Sequence, residues 1–183
     1  MQVPGTQHVS GCRECGADSV PGTPGATTGR ATERETTVTI QRMDHVSVVV
    51  DDLEAAIAFF VELGMELEGQ APIEGRSVDR VNALDGVRVD IAMVRTPDGH
   101  GRLELTKFHT PTAVSAEPEN APPNTLGLRS VMFAIDDVDA TVARLRAHGA
   151  ELVGEVAQYE ASYRLCYVRG PAGIIVALAQ QLS

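Results

Sequence analysis

The 183-residue chain has no tryptophan, and aromatic residues make up only 4% of it, so its core has to be built mainly from aliphatic side chains. Basic residues are scarce too: 15 Lys plus Arg stand against 25 Asp plus Glu, for a formal net charge of -10. That balance leaves no positive surface to neutralise phosphates or anionic lipid, which excludes nucleic acid as an expected partner. Long apolar segments are missing. The stretches Val46 to Val50 and Ile174 to Ala179 both fall far short of the roughly 20 residues that cross a bilayer. Three cysteines cannot form a fully paired disulfide framework. With no basic start and apolar stretch of a secretory signal at the N-terminus, a reducing cytoplasmic location is expected. Cys12 and Cys15 make a C-x-x-C, but no second pair or nearby Cys/His cluster completes a zinc knuckle.

Residues 1–37 are rich in Gly, Thr, Pro and Ser and carry no apolar periodicity, so a disordered N-terminal extension is expected there. An equally plain reading starts the natural chain near Thr36 to Met43. The 43% hydrophobic content is enough for one packed domain, expected over residues 38–183.

That domain contains a repeat. Sliding the chain by 85 positions aligns Met43 to Gly69 with Leu128 to Gly154 without a gap. In the first copy, Asp44 to Val50 reads as a β-branched strand, and Asp51-Asp52 supplies a helix N-cap. Leu53, Ala56, Ile57, Phe60 and Leu63 then recur at helical spacing, and Gly64 sits where a left-handed cap ends a helix. In the second copy, Ser130 to Ile135 is the strand, Asp136-Asp137 the cap, Val138, Val142 and Leu145 the apolar stripe, and Gly149 the stop.

Further strands are expected at Met65 to Gln70, around Val78 to Leu84, at Val89 to Arg95 and at Arg102 to Phe108, with a hairpin at Thr96-Pro97-Asp98-Gly99. In the second half they are expected at Glu151 to Gln158, Tyr163 to Arg169 and Ile174 to Ala179, with Gly170 to Gly173 as the matching turn. The fold class is therefore α+β, two tandem βαβββ modules at residues 43–109 and 127–180, joined by a proline-rich linker over 110–126.

Strand alternation sets Val46, Val48 and Val50 toward the helix and His45, Ser47 and Val49 the other way. In the last strand of the first module, Leu103 and Leu105 share one face, while Arg102, Glu104, Thr106 and Phe108 share the other. If the two polar faces coincide, His45 and Glu104 point into one concavity. His45 satisfied by a neighbouring hydroxyl, and Glu104 paired with Arg102 or Arg129, is the structural alternative. His100, His109 and His148 fall at a turn, a strand end and a helix end, and Cys166 reads as a buried apolar residue.

With these residues in place, the chain resembles the vicinal oxygen chelate superfamily, which includes glyoxalase I, methylmalonyl-CoA epimerase, extradiol dioxygenases and bleomycin-resistance proteins. The resemblance runs from about Met43 to Gln180. It rests on Met43-Asp44-His45-Val46 leading to Val50-Asp51-Asp52-Leu53, on Gly127 to Val131 leading to Ile135-Asp136-Asp137-Val138, and on Tyr163 to Pro171 near the end.

The resemblance implies the glyoxalase/bleomycin resistance fold: a cupped mixed sheet around a pocket, with a divalent metal held by the first and last strands of each module. Carried over, those four positions are His45, Glu104, Ser130 and Ala177, of which only His45 and Glu104 are metal ligands by chemistry. Ser47, Arg102, Phe108, Arg129, Ser130, Met132, Ile175 and Ala177 are the expected pocket lining.

Two functions follow as expectations. One is a lyase, isomerase or dioxygenase using zinc, nickel, manganese or iron on an incomplete site. The other is a metal-free protein that binds or sequesters a small molecule. A homodimer is expected in either case, since paired modules leave sheet edges that a second chain can cover.

Overall fold

Strand β1 (Val46–Val49) leads into helix α1 (Leu53–Leu63), and the junction is fixed where the sequence places it. Asp52 accepts a hydrogen bond from the Ala55 N–H, satisfying one of the free donors of the first turn. Gly64 ends the helix at φ 115°, a conformation that a side chain would strain. The computed structural model describes residues 40, 42–115 and 117–182. The expected extension over 1–37 and the Cys12/Cys15 pair lie outside the described residues.

The first module continues with β2 (Glu66–Glu74), helix α2 (Arg76–Asn82), β3 (Arg88–Arg95) and β4 (Arg102–Thr110). Its sheet has the order β1-β4-β3-β2, with β1 parallel to β4 and the other pairs antiparallel. The second module comprises β5 (Ser130–Ile135), α3 (Val138–Arg146), β6 (Glu151–Leu152), β7 (Ala157–Tyr159), β8 (Tyr163–Arg169) and β9 (Ile175–Gln181). A 3-10 turn at Pro171–Gly173 joins its last two strands. Its sheet repeats the pattern as β5-β9-β8-β6, again with a parallel first pair, while β7 pairs with the other end of β8.

Two expectations about local structure are corrected. The stretch around Val78 to Leu84 is α2 rather than a strand, set off from β2 by Gly75 at φ 114°. A strand there would need one buried face, but no residue of α2 is buried and Val81 is 86% exposed. Asp79 stabilises the alternative by accepting a 2.7 Å hydrogen bond from the Val87 N–H, which pins the return into β3. The expected strand over Glu151 to Gln158 is broken into β6 and β7 by a bend at Val153-Gly154. Glycine has no side chain to pack on a sheet, and this edge departs from β8 before pairing with it again.

One apolar cluster holds both modules. Phe59, Phe60, Leu103 and Leu105 of the first module share it with Val138, Leu145, Val168, Val176 and Leu178 of the second. Phe59 and Phe60 meet edge-to-face with centroids 5.2 Å apart. Phe59 also reaches across to the second module: a Cβ at Gly170 would come within 3.0 Å of its ring. The helices are tied at the surface by Arg144 and Glu62, 2.9 Å apart. Val46 and Val48 pack against this core, so the opposite faces of the strands carry the polar residues.

Candidate functional site

Parallel pairing places Ser47 opposite Glu104 and Val49 opposite Thr106, so the side chains of β1 and β4 that turn away from the core line up across the two strands. Two hydroxyls converge on one carboxylate oxygen there. Ser47 Oγ donates to Glu104 Oε1 at 3.0 Å, and Thr106 Oγ1 donates to the same oxygen at 3.1 Å. Hydrogen bonds to a charged acceptor are each worth about 1.5–3 kcal/mol, so together they hold the Glu104 side chain in one orientation. The other oxygen, Oε2, faces His45 Nε2 across 3.9 Å, beyond hydrogen-bonding distance. The side chains of Glu104 and His45 are 24% and 35% exposed, open enough to be approached from solvent.

His45 is held from its other side. Its Nδ1 lies 3.1 Å from Asp44 Oδ2, and the second oxygen of Asp44 accepts two bonds from Arg42, at 3.1 and 2.6 Å. Arg42 first, and then His45, keeps the Asp44 carboxyl below its usual value. Sequence reasoning missed this contact; the adjacent Asp44-His45 pair, with Arg42 two residues before Asp44, was its only signal.

The structural alternatives for these residues resolve differently from the readings in sequence. Arg102 pairs with Glu68 at 3.2 Å rather than with Glu104, and Arg129 Nε donates to the Leu128 carbonyl. His45 leans on a carboxylate and not on a hydroxyl. His109 pairs with Asp90 at 2.8 Å, and His148 approaches Glu62 at 3.8 Å, so neither is turned to Glu104. Cys166 is buried, and that burial pushes its thiol pKa up, which makes it a poor nucleophile.

The second module repeats the backbone but not the chemistry. Met132 stands opposite Ala177 on β5 and β9 as Ser47 stands opposite Glu104 on β1 and β4. Met132 takes the place of the serine and Ala177 that of the glutamate. Ser130, 85 positions after His45, faces Ile175. Among the described residues, no three His, Cys, Asp or Glu side chains gather as a metal site. The donor set of one chain thus does not fit a catalytic metal that needs about three protein ligands.

The expected lining residues are divided. Ser47, Arg129 and Ser130 line a cavity of about 240 Å³ between β1, the start of β5 and the turn at Ala172–Ile174, with Glu119 and Ala121 of the linker. Ser47 joins that cavity to Glu104, which is not part of its wall. Met132 instead borders a larger space of about 670 Å³ at the other end of β5, against the Thr96–Asp98 hairpin and the end of α1. Arg102, Phe108, Ile175 and Ala177 line neither. Arg169 fixes the linker beside the smaller cavity by donating to the carbonyls of Gly173 and Ala121.

Paired modules of this topology, each with a parallel first-and-last strand pair, define an α+β fold with an internal duplication. Residues 42–178 match the family described as Glyoxalase/Bleomycin resistance protein/Dioxygenase superfamily, and the chain belongs to it. A glyoxalase family protein from Bacillus cereus has a similar crystal structure, with 51% sequence identity and a TM-score of 0.77, covering 81% of this chain and 99% of that one. An uncharacterized Escherichia coli protein, YaeR, is 25% identical over 143 residues, 78% of this chain and 98% of its own. An uncharacterized Bacillus subtilis protein, YwbC, is 26% identical over 136 residues, 73% of this chain and 92% of its own. No described helix is long and apolar enough to cross a membrane.

Proposed function

We propose that the chain is a small-molecule-binding member of the superfamily, in which Glu104 anchors a ligand carrying a hydrogen-bond donor and no resident metal is needed for binding. The observation that carries this reading is the asymmetry of the Glu104 carboxylate. Both protein hydroxyls are spent on Oε1, while Oε2 is directed at His45 without bonding it. A buried or half-buried carboxylate oxygen without a partner favours a ligand that supplies one.

The test is a thermal-shift screen of oxygen-rich and aromatic compounds in the presence of EDTA, with Glu104→Gln beside the wild type. Compounds are expected to raise the melting temperature of the wild type by a few degrees and to leave the variant unmoved, by linkage of binding to stability. Stabilisation seen only after zinc, nickel, manganese or iron is added would overturn it.

That outcome belongs to a second reading, a metal-dependent reaction, which one distance favours. Two ligands each about 2.0–2.2 Å from one ion stand at most about 4.4 Å apart, and His45 Nε2 lies 3.9 Å from Glu104 Oε2. In this reading a second copy of the chain supplies the remaining ligands, as two first modules facing each other would bring two such pairs together. Metal content of untagged protein, read with its mass in solution, separates the two.

A further inference from the structure

The cavity of about 670 Å³ beside the end of β5 takes no part in either reading of Glu104, and its size falls in the range of about 300–1,000 Å³ usual for small-molecule pockets. Three carboxylates line it: Asp98 from the hairpin between β3 and β4, and Asp136 and Asp137 from the turn between β5 and α3. Asp98 accepts the Thr96 hydroxyl and the His100 N–H on Oδ1, and these bonds keep its carboxyl below the ordinary value, so it is ionised at neutral pH. Asp137 accepts the Ala140 N–H on its own Oδ1. Among the described residues, Oδ2 of each and the whole carboxylate of Asp136 are left without a donor. The wall also takes in Leu63 and Gly64 at the end of α1, and no basic residue stands in the last turn of that helix to offset its negative end. Arg144 is the only cation of the wall among the described residues, and it is paired with Glu62 at 2.9 Å.

A buried hydroxyl completes the wall. Thr141 on α3 is 4% exposed and borders the same cavity. Its hydroxyl bonds to no described residue, yet Arg102 Nε is the only fully buried side-chain polar atom without a partner among the described residues. The Thr141 hydroxyl is therefore not sealed in, and it opens onto the cavity it borders.

We propose that this cavity is a second binding site, for an organic cation: a protonated amine on an apolar body, with the ammonium held by the Thr141 hydroxyl and the carboxylates of Asp98, Asp136 and Asp137, and the hydrocarbon laid against Met65, Met132 and Phe133. An ammonium carries three donors and no acceptor, which matches a wall whose free polar atoms are acceptors. A bare divalent ion fits less well, because no three carboxylates converge as a metal site among the described residues. The site is separate from Glu104 and does not depend on what Glu104 binds.

The experiment titrates three probes of similar shape into the full chain by calorimetry: phenethylamine, which is charged at neutral pH, phenethyl alcohol and phenylpropionate. The amine is expected to bind at least about tenfold more tightly than the alcohol, to lose affinity as salt is raised, and to be the opposite of the carboxylate, which is expected not to bind. Asp136 is exposed and has no hydrogen bond to lose, so Asp136→Asn keeps the fold, and it is expected to weaken the amine about fivefold or more while leaving the alcohol unchanged. Thr141→Val keeps the volume, removes the hydroxyl and is expected to weaken the amine as well. Glu104→Gln separates this site from the one around Glu104: amine binding lost in that variant but kept in Asp136→Asn assigns the amine to Glu104 and overturns the proposal. Equal affinity for amine and alcohol, or no binding of the amine at millimolar concentration, overturns it too.

Discussion

The two modules share a backbone and differ in what they place on it. Ser47, Glu104 and Thr106 turn the outer face of the first module into a hydrogen-bonded polar cluster. At the matching places the second module has Met132 and Ala177, the one 58% exposed and the other fully buried. Toward the helices the two copies are alike, each giving buried aliphatic residues to one common cluster. Packing has preserved the repeat on the inner faces, where any change of volume is felt. The outer faces have been free to diverge, and the chemistry has collected on one of them.

The strongest way to break this comparison is through the shared core. Phe60 is fully buried in the cluster that both modules share, so Phe60→Ala leaves a cavity expected to cost about 3–5 kcal/mol. If the modules form one cooperative unit, chemical denaturation of the variant keeps a single transition at a lower midpoint, with probes in either module reporting it together. Two separated transitions would mean that each module holds its own core.

A smaller effect is expected from rewriting the second module in the image of the first. Ser130→His with Ala177→Glu supplies the two missing ligands, and zinc affinity measured by titration calorimetry is expected to rise by an order of magnitude or more, since each added ligand strengthens the site. Ala177 has no exposed surface, so a glutamate there overpacks its surroundings and is expected to cost about 1–3 kcal/mol. Adding Met132→Ser opens the neighbouring position, as Ser47 does beside Glu104, and is expected to recover part of that loss. No gain in zinc affinity in either variant would show that the equivalence of the two modules stops at the backbone.

Much of the comparison was legible in the sequence because its signals are local. The 85-residue offset, the Asp caps at Asp52 and Asp137 and the left-handed Gly64 each rest on a few adjacent residues, and each is found as expected. Alternation also assigned Leu103 and Leu105 to the core and Glu104 and Thr106 to the other face. Helix α2 was not legible: with seven residues and no buried face, it leaves no apolar periodicity to read. Nor was the clustering around Glu104. Three residues on the same face become a cluster only through register, and Ser47 meets Glu104 because β1 runs parallel to β4, a pairing made across 57 residues. Arg102 shows the same limit, since its partner Glu68 is on a strand whose bulge no local pattern announces.

The smallest expected effect lies where the two helices begin. In the second module Asp139, in the first turn of α3, accepts bonds of 2.7 and 3.1 Å from Arg164 on β8. The first module has Glu54 at the matching position, 85 residues earlier, and among the described residues Glu54 reaches only the amide of Gln70, at 3.5 Å. Hydrogen bonds from Arg164 hold the Asp139 carboxyl below its ordinary value. A carboxyl whose pKa is depressed by folding stabilises the protein above the unfolded value and loses that contribution as pH falls through the lower, folded one. Asp139→Asn is therefore expected to melt slightly below the wild type at neutral pH, with the difference closing as pH drops below about 3.8. The pair is solvent-exposed, so added salt is expected to shrink the difference as well. Glu54→Gln is expected to leave the melting temperature and its acid dependence unchanged. A difference between Asp139→Asn and the wild type that persists undiminished into acid would mean that the asparagine has disturbed the start of α3 itself, and that the ion pair is not what distinguishes the two helices.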